Sequence, residues 1–236
     1  MKTVLVTGST SGIGEAASRR LAADGYRLVL VARNQQKLEK LCRELGPNVH
    51  SFAYDLYDLE HIHTIFDYCR EREFAIDGLV YCAGISRRNA FRTINIEVAE
   101  RVMRLNCMAF VEMGRMMALR KYSADSGSIV AISSLSATTA YAGTATYTMS
   151  KAALNAVCRV LSKELLKRRI RVNTIMPGYV RTPMTEDMNE EQVVMEQPFG
   201  FIEPEEIADV IEFLLSDKSR CIKGAAIPVS AGMNFC

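Results

Sequence analysis

Short apolar segments alternate with longer amphipathic segments along almost the whole chain. The apolar segments are rich in Val, Ile and Leu, and several are continuously apolar, as is typical of strands covered on both faces. We predict strands at 2–7, 27–32, 49–53, 78–82, 128–133, 170–175 and 225–229. Helical patterns lie between them, at 12–24, 34–45, 58–73, about 97–122, about 146–168 and 204–215. This alternation predicts a three-layer, doubly wound α/β fold around a seven-stranded parallel sheet.

The alternation has one interruption, at residues 183–203. No repeat, low-complexity tract or Pro/Gly/Ser-rich linker divides the sequence, so we predict that residues 1–236 form a single domain. Asp58 and Pro204 are plausible first residues of helices. Long insertions often form lids over active sites, and we therefore interpret 183–203 as a substrate-loop insertion.

Composition narrows the function classes. The 236 residues carry a formal net charge of +2, which gives no reason to expect nucleic acid or an anionic membrane as a partner. The seven cysteines, the last of them Cys236, are odd in number and include no C-x-x-C pair, which favours reduced thiols and a cytoplasmic protein. No apolar run is long enough to span a bilayer. The three histidines lack the spacing of metal ligands, so no metal is expected.

A glycine-rich turn, T-G-S-T-S-G-I-G, directly follows the first predicted strand and opens the first helix. Glycines at 8, 12 and 14 allow a sharp turn and a close approach of the backbone to a ligand. The start of a helix adds unpaired N–H groups and the positive end of its dipole. An ordinary tight turn is the alternative, but three glycines at the first turn of an α/β sheet favour a phosphate-containing cofactor.

The residues after the second strand bear on the choice of cofactor. Many NAD-binding sheets carry a carboxylate there, which holds the ribose 2′-hydroxyl and would repel a 2′-phosphate. This chain has Arg33 and Asn34 instead. A guanidinium grips phosphate with charge-assisted hydrogen bonds, so the sequence favours NADP(H) over NAD(H). A solvated arginine near a helix start is the alternative.

Tyr147 and Lys151 are four residues apart in a predicted helix and therefore share a face. A free phenol has a pKa of about 10, and a neighbouring ammonium favours its ionised form. We therefore expect Lys151 to lower the pKa of Tyr147 towards neutrality, where the phenol serves as a general acid or base. One Y-x-x-x-K among nine tyrosines is weak alone, but Ser134 ends an apolar strand shortly before it.

Taken together, these motifs resemble the short-chain dehydrogenase/reductase family in its single-domain, Rossmann-fold branch, and in particular the β-ketoacyl carrier-protein reductases. The resemblance covers essentially the whole chain. It rests on T-G-S-T-S-G-I-G, Asp55, the A-G of Y-C-A-G-I, Asn106, Ser134, Tyr147 with Lys151, and N-T-I-M-P-G-Y-V-R-T.

The resemblance implies a role for each matching position. Tyr147 is the expected general acid of ketone reduction, Lys151 binds the nicotinamide ribose, and Ser134 orients the substrate oxygen. Asn106 would hold a water that links Lys151 to solvent. Asp55 would meet the adenine, with Leu56 beside it. The expected cofactor contacts are Gly8, Thr10, Ser11, Gly12, Ile13, Gly14, Arg33, Asn34, Asp55, Leu56, Cys82, Ala83, Gly84, Tyr147, Lys151, Pro177, Gly178, Val180 and Thr182.

Some features leave alternatives open. The family usually has N-N-A-G where this chain has Tyr81-Cys82-Ala83-Gly84, which puts ribose positioning and local stability in doubt. The run Lys167-Arg168-Arg169 either complements a helix dipole or docks an acidic acyl-carrier protein. The resemblance also implies a homotetramer. The sequence does not identify the substrate, which could be a β-ketoacyl thioester, a sugar, a steroid or a small ketone. Two other functions also stay open: a nucleotide-sugar epimerase and a catalytically silent NADP(H) sensor.

Overall fold

The computed structural model describes residues 1–234, so Cys236 lies outside the described residues. Seven parallel strands form one sheet in the order β3-β2-β1-β4-β5-β6-β7. The strands are β1 (Thr3–Thr7), β2 (Arg27–Ala32), β3 (Val49–Ala53), β4 (Ile76–Tyr81), β5 (Ser123–Ile132), β6 (Arg171–Pro177) and β7 (Ala226–Val229). The predicted α/β fold is confirmed. Strand order reverses between β1 and β4, and ligands in such sheets bind beyond the carboxyl ends of the strands at this point.

Helices cover both faces of the sheet. They are α1 (Gly12–Ala23), α2 (Gln35–Leu45), α3 (His63–Glu71), α4 (Ile96–Met103), α5 (Ala109–Met117), α6 (Ser136–Thr139), α7 (Ala145–Glu164), α8 (Glu190–Glu196) and α9 (Pro204–Leu215). None of the helices in residues 1–234 combines the length and the apolar character of a transmembrane helix.

Two hydrophobic cores lie on opposite faces of the sheet. Successive side chains of a strand point to opposite faces, and the fully buried β1 feeds both cores. Val4 and Val6 pack in the core that includes Ala17 of α1 and Ile211 of α9. Leu5 packs in the other core, which is built from α3, α5 and α7. Burial of both faces accounts for the continuously apolar strands.

Several element boundaries differ from the prediction. Helix α3 begins at His63 rather than near Asp58, because the Asp58 carboxylate accepts a hydrogen bond from the His61 N–H and caps a separate turn. Strand β5 begins at Ser123, five residues before the predicted start. Its pairing with β4 shifts register between Ile76 and Gly78, and this irregularity hides the first residues of the strand from a simple pattern.

The predicted helix at 97–122 ends at Met117 and is interrupted inside. Helices α4 and α5 are joined by a π-helical turn, Arg104–Met108. The carbonyl oxygens of Met117 and Ala118 accept hydrogen bonds from Arg168, which satisfies them at the end of α5. Long-range contact, rather than the local pattern, thus sets this boundary.

The segment 183–203 is closed at its base and contains helix α8. Val180 forms a parallel bridge with Ile202. Arg181 makes ion pairs with Glu190, at the start of α8, and with Glu203, in front of α9. The interpretation of this segment as a substrate loop, like the single-domain organisation of residues 1–236, stays a prediction.

Candidate functional site

A cavity of about 500 Å³ opens at the carboxyl ends of the central strands. Gly8 after β1, Ala83 after β4, Ser134 after β5 and Gly178 after β6 all line it. Their elements meet at one edge because all strands of the sheet are parallel. The cavity therefore lies where a doubly wound sheet binds its ligand.

The glycine turn is shaped for a close-fitting ligand. Gly8 and Gly12 have φ values of +63° and +51°, which other residues rarely adopt. A Cβ on Gly14 would lie 2.3 Å from the carbonyl oxygen of Gly8, so the turn tolerates no side chain there. The Ser11 side chain makes no capping hydrogen bond to α1, and it lines the cavity. Ser11, Gly12, Ile13 and Gly14, at the start of α1, thus line the cavity, which suits the phosphate groups of a ligand.

Most of the sequence-predicted positions come together around this cavity. The cavity is lined by Gly8, Ser11, Gly12, Ile13, Gly14, Cys82, Ala83, Gly84, Ser134, Tyr147, Lys151, Pro177, Gly178, Val180 and Thr182. Thr10, Arg33, Asn34, Asp55, Leu56 and Asn106 lie outside the lining. Except for Thr10 in the glycine turn and Asn106 in the π-helical turn, the residues outside the lining follow β2 and β3, on one side of β1, whereas the lining residues end or follow β1, β4, β5 and β6 or lie on α7.

The residues outside the lining have different surroundings. The Asn34 side-chain oxygen accepts the Lys37 N–H and caps α2, while the Asp55 carboxylate accepts the Tyr57 N–H. Leu56 is buried in the core, so its side chain does not face a ligand. Arg33 is exposed at the end of β2 and makes no ion pair within residues 1–234. Its guanidinium is therefore available to a ligand.

Ser134, Tyr147 and Lys151 form a compact group. Helix α7 carries Tyr147 and Lys151 on one face, and Ser134 follows β5. The Lys151 ammonium lies 5.7 Å from the centroid of the Tyr147 ring. Its Nζ donates a 2.7 Å hydrogen bond to the carbonyl oxygen of Ile132. The Ser134 hydroxyl accepts the Ser136 N–H and lies close enough to the Tyr147 phenol to act on its pKa.

The expected lowering of the Tyr147 pKa is not found in this structure. Burial raises the pKa of Tyr147 above its ordinary value, and the neighbouring Ser134 hydroxyl only partly opposes that rise. Lys151 interacts with Ile132 rather than with the phenolic oxygen, and its own burial lowers the pKa of the ammonium to about 8. The phenol is therefore protonated at neutral pH, which is the state that a general acid requires.

Asn106 lies in the π-helical turn and is fully buried. Its oxygen accepts the Ile85 N–H, and its amide group donates to the Ile85 carbonyl and to the Ser150 hydroxyl, all within 2.9 Å. A Cβ on Gly84 would lie 3.2 Å from the Asn106 oxygen and 3.4 Å from Lys151 Nζ. Asn106 therefore fixes the loop after β4 to the helix that carries Lys151. Its expected water stays a prediction.

The departure at Tyr81-Cys82 is accommodated by other bonds. Tyr81 is fully buried and its phenol donates to the carbonyl oxygen of Leu105, in the π-helical turn. The backbone N–H groups of Cys82 and Ala83 both donate to the Thr7 hydroxyl, which joins the ends of β4 and β1. Burial raises the pKa of the Cys82 thiol to about 12, so it remains protonated and unreactive at neutral pH.

The sequence analysis missed a group of residues at the other end of the cavity. They are Ile85, Arg87, Arg88, Leu135, Tyr141, Thr144, Tyr179 and Met233, whereas Met184, which also lines the cavity, belongs to the predicted substrate loop 183–203. Arg87 and Arg88 lie in the segment that follows β4, so the strand pattern could have indicated them. Met233 and Tyr141 were not, because the Tyr141 phenol meets the Met233 sulfur across 92 positions of sequence.

The basic run at the end of α7 is not a uniform docking surface. Arg168 is 7% exposed and serves the fold. It donates to the backbone carbonyl oxygens of Met117, Ala118, Ser123 and Ala124 and to the carboxylate of Asp125. Only Lys167 and Arg169 are exposed. The prediction that all three residues complement a helix dipole or contact a carrier protein is wrong for Arg168, because its guanidinium already donates these hydrogen bonds within the fold.

Comparisons with known proteins agree with this geometry. The family model described as "Enoyl-(Acyl carrier protein) reductase" matches residues 8–234. The chain is 31% identical over 239 residues to the 3-oxoacyl-[acyl-carrier-protein] reductase FabG of Thermotoga maritima, covering 98% of this chain and 97% of the relative. It is 33% identical over 233 residues to carbonyl reductase family member 4 of Danio rerio, with 98% and 97% covered.

Solved structures are similar over the same length. A 3-ketoacyl-(acyl-carrier-protein) reductase from Brucella melitensis complexed with NADH has a TM-score of 0.91 at 25% identity, covering 98% of this chain and 97% of that chain. An actinorhodin polyketide ketoreductase with NADPH has a TM-score of 0.90 at 25% identity, with 98% and 96% covered. The neighbours thus include proteins described with each of the two nicotinamide cofactors.

Proposed function

The chain belongs to the short-chain dehydrogenase/reductase family, and we propose that it is an NADP(H)-dependent ketoreductase. The observation that carries the proposal is the grouping of Ser134, Tyr147 and Lys151 in the cavity that the glycine turn opens into. In the proposed reaction a ketone becomes a secondary alcohol. NADPH supplies the hydride when bound, and the protein supplies position and a proton.

Each side chain has a distinct part in the proposed reaction. Tyr147, protonated at neutral pH, donates its phenolic proton to the carbonyl oxygen of the substrate. Ser134 hydrogen-bonds the same oxygen and keeps it beside the phenol. The hydrogen bond to the Ile132 carbonyl oxygen positions the Lys151 ammonium, which holds the nicotinamide ribose. Asn106 is a positioning residue, because it acts through Ser150 and the loop at Ile85.

The preference for NADP(H) is proposed from Arg33, which is exposed and without an ion pair in residues 1–234. We expect Arg33→Gln to lower kcat/KM for NADPH roughly 10- to 100-fold and to change the value for NADH by less than about threefold, because a charge-assisted bond to phosphate contributes about 1.5–3 kcal/mol. Steady-state kinetics with both cofactors measures the ratio.

Arg43→Gln is the matched control for Arg33, since Arg43 is an exposed arginine in the last turn of α2. The ratio of kcat/KM for NADPH to kcat/KM for NADH should be the same in this variant as in the unmodified protein. An Arg33→Gln protein that keeps the full NADPH preference would refute the assignment of the 2′-phosphate to Arg33.

We further propose a β-ketoacyl thioester as substrate, carried on acyl-carrier protein, and a homotetramer as the working assembly. The names of the similar reductases support the substrate, and the apolar wall at Leu135, Met184 and Met233 suits an acyl chain. Three exposed apolar side chains could contact another copy of the chain: Met108 in the π-helical turn, Val111 on α5 and Val160 on α7.

A carbonyl panel with both cofactors tests the proposed function. It contains a β-ketoacyl thioester, a small diketone, a sugar and a steroid, and NADPH oxidation is followed at fixed protein concentration. The proposal expects turnover of at least one ketone with NADPH. A protein that binds NADPH and reduces none of them would instead be a cofactor-binding sensor.

A pH profile tests the role of Lys151. Burial lowers the pKa of Lys151 to about 8, so the ammonium is present below that pH and is lost above it. At saturating ketone, kcat/KM for NADPH reports the ionisations of the free enzyme. We expect it to be constant below pH 7 and to fall as the pH rises through about 8. A value that stays constant to pH 9.5 would contradict the assigned role.

A further inference from the structure

Two adjacent arginines, Arg87 and Arg88, lie in the segment after β4 and line the cavity. The backbone N–H of Asn89 donates to the carbonyl oxygen of Gly143, in the turn that precedes α7 and therefore Tyr147. Arg88 Nη2 also lies 4.0 Å from the sulfur of Met188, in the 183–203 segment. The pair thus lies between the start of the catalytic helix and the candidate substrate loop, and its backbone is anchored.

The charge of this end of the cavity is not compensated. The described residues that line the cavity include Arg87, Arg88 and Lys151 and no Asp or Glu. Within residues 1–234 neither Arg87 nor Arg88 forms an ion pair, whereas the nearby Arg181 is held by two glutamates. The two arginines therefore bring positive charge to the lining of the cavity.

The neighbouring groups do not neutralise the pair. Glu196 accepts a 2.6 Å hydrogen bond from the Tyr179 phenol, on the same wall of the cavity. Burial and the Glu196 carboxylate raise the pKa of Tyr179, and the positive charge of Arg88 opposes that rise, so Arg88 lies within electrostatic range of this phenol. The lining of the same cavity also includes the apolar side chains of Leu135, Met184 and Met233.

We propose that Arg87 and Arg88 form an anion-binding subsite for the substrate. The substrate class is then a ketone that carries a carboxylate or a phosphate at some distance from its carbonyl group, with an apolar chain between the two. Arginine recognises both anions with paired, charge-assisted hydrogen bonds. The inference rests on the proposed ketoreductase function and adds the chemical class of its substrate.

Two pairs of substrates separate the two anions. The carboxylate pair is 4-oxopentanoate and its methyl ester. The phosphate pair is the acetoacetyl thioester of coenzyme A and that of N-acetylcysteamine, which lacks the phosphates. The variants are Arg87→Gln and Arg88→Gln. The control is Arg92→Gln, an exposed arginine in the short 3-10 turn Phe91–Thr93 that does not line the cavity.

We expect the ratio of kcat/KM for the charged and uncharged members of one pair to fall roughly 10- to 100-fold in each variant, since a hydrogen bond to a charged group contributes about 1.5–3 kcal/mol. The loss should appear mainly in KM, because the subsite binds ground state and transition state alike. The pair that responds identifies the anion. Arg88→Lys should lose less than Arg88→Gln, and Arg92→Gln should keep the original ratio.

Failure of this inference is distinguishable from failure of the proposed function. If both variants keep the ratios of both pairs while the methyl ester is still reduced, the subsite is overturned and the ketoreductase stands. If the unmodified protein reduces none of the four compounds or any other ketone, the proposed function falls and the subsite with it. Melting temperatures of all variants, compared with that of Arg92→Gln, show that each remains folded.

Discussion

Replacing Tyr147 with Phe is expected to lower kcat for ketone reduction about 10²- to 10⁴-fold, which is the usual contribution of a positioned general acid. The substitution removes one oxygen and leaves the ring, so the partly buried site keeps its packing. Ser134 and Lys151 remain, and the affinity for NADPH should change by only a few-fold. Stopped-flow measurement of NADPH oxidation gives the rate, and a fluorescence titration gives the affinity.

Tyr141→Phe is the matched control, because Tyr141 is a second phenol that lines the same cavity. Its hydroxyl contacts the Met233 sulfur rather than Ser134. We expect its kcat to fall less than tenfold. If kcat fell equally in the two variants, the proton-donor role would not be specific to Tyr147. A fully active Tyr147→Phe protein would show that Tyr147 takes no part in the reaction.

Arg168→Ala is expected to destabilise the protein by about 3 kcal/mol, because it removes a buried guanidinium that donates to four backbone carbonyl groups, of which, among the described residues, Met117 alone keeps a second side-chain donor, Ser123. Two of these groups end α5 and two lie at the start of β5. Urea denaturation followed by circular dichroism measures the difference.

Lys167→Gln controls for the loss of a positive charge in the same segment, since Lys167 is exposed. Its free energy of unfolding should stay within about 0.5 kcal/mol of the original. If Arg168→Ala were as stable as Lys167→Gln, the bonds of Arg168 would contribute nothing to the fold, and its availability to a carrier protein would be open again.

The local parts of the site could be predicted from the sequence. The glycine turn follows the first strand, so its place at the sheet edge was determined by chain order alone. Tyr147 and Lys151 were separated by one helical turn, and Ser134 ended the neighbouring strand. These three positions needed only the strand–helix pattern and the rule that ligands bind at the carboxyl ends of parallel strands.

The remaining features depend on contacts between distant parts of the chain. Arg168 looked like part of a basic run because its carbonyl partners, 44 to 51 positions away in sequence, are backbone atoms that no pattern marks. The pKa of Tyr147 was misjudged because burial raises it while Lys151 donates to the Ile132 carbonyl oxygen, and both follow from packing rather than spacing. Met233 reaches the cavity only through the turn after β7.

The most direct test of the central claim is a crystal structure with NADP⁺ and a bound ketone that the panel has identified. The account predicts that the ketone oxygen lies about 2.6–3.2 Å from both the Tyr147 hydroxyl and the Ser134 hydroxyl, with Lys151 on the ribose. A ketone bound productively beside the nicotinamide with its oxygen directed away from Tyr147, towards another donor, would contradict it.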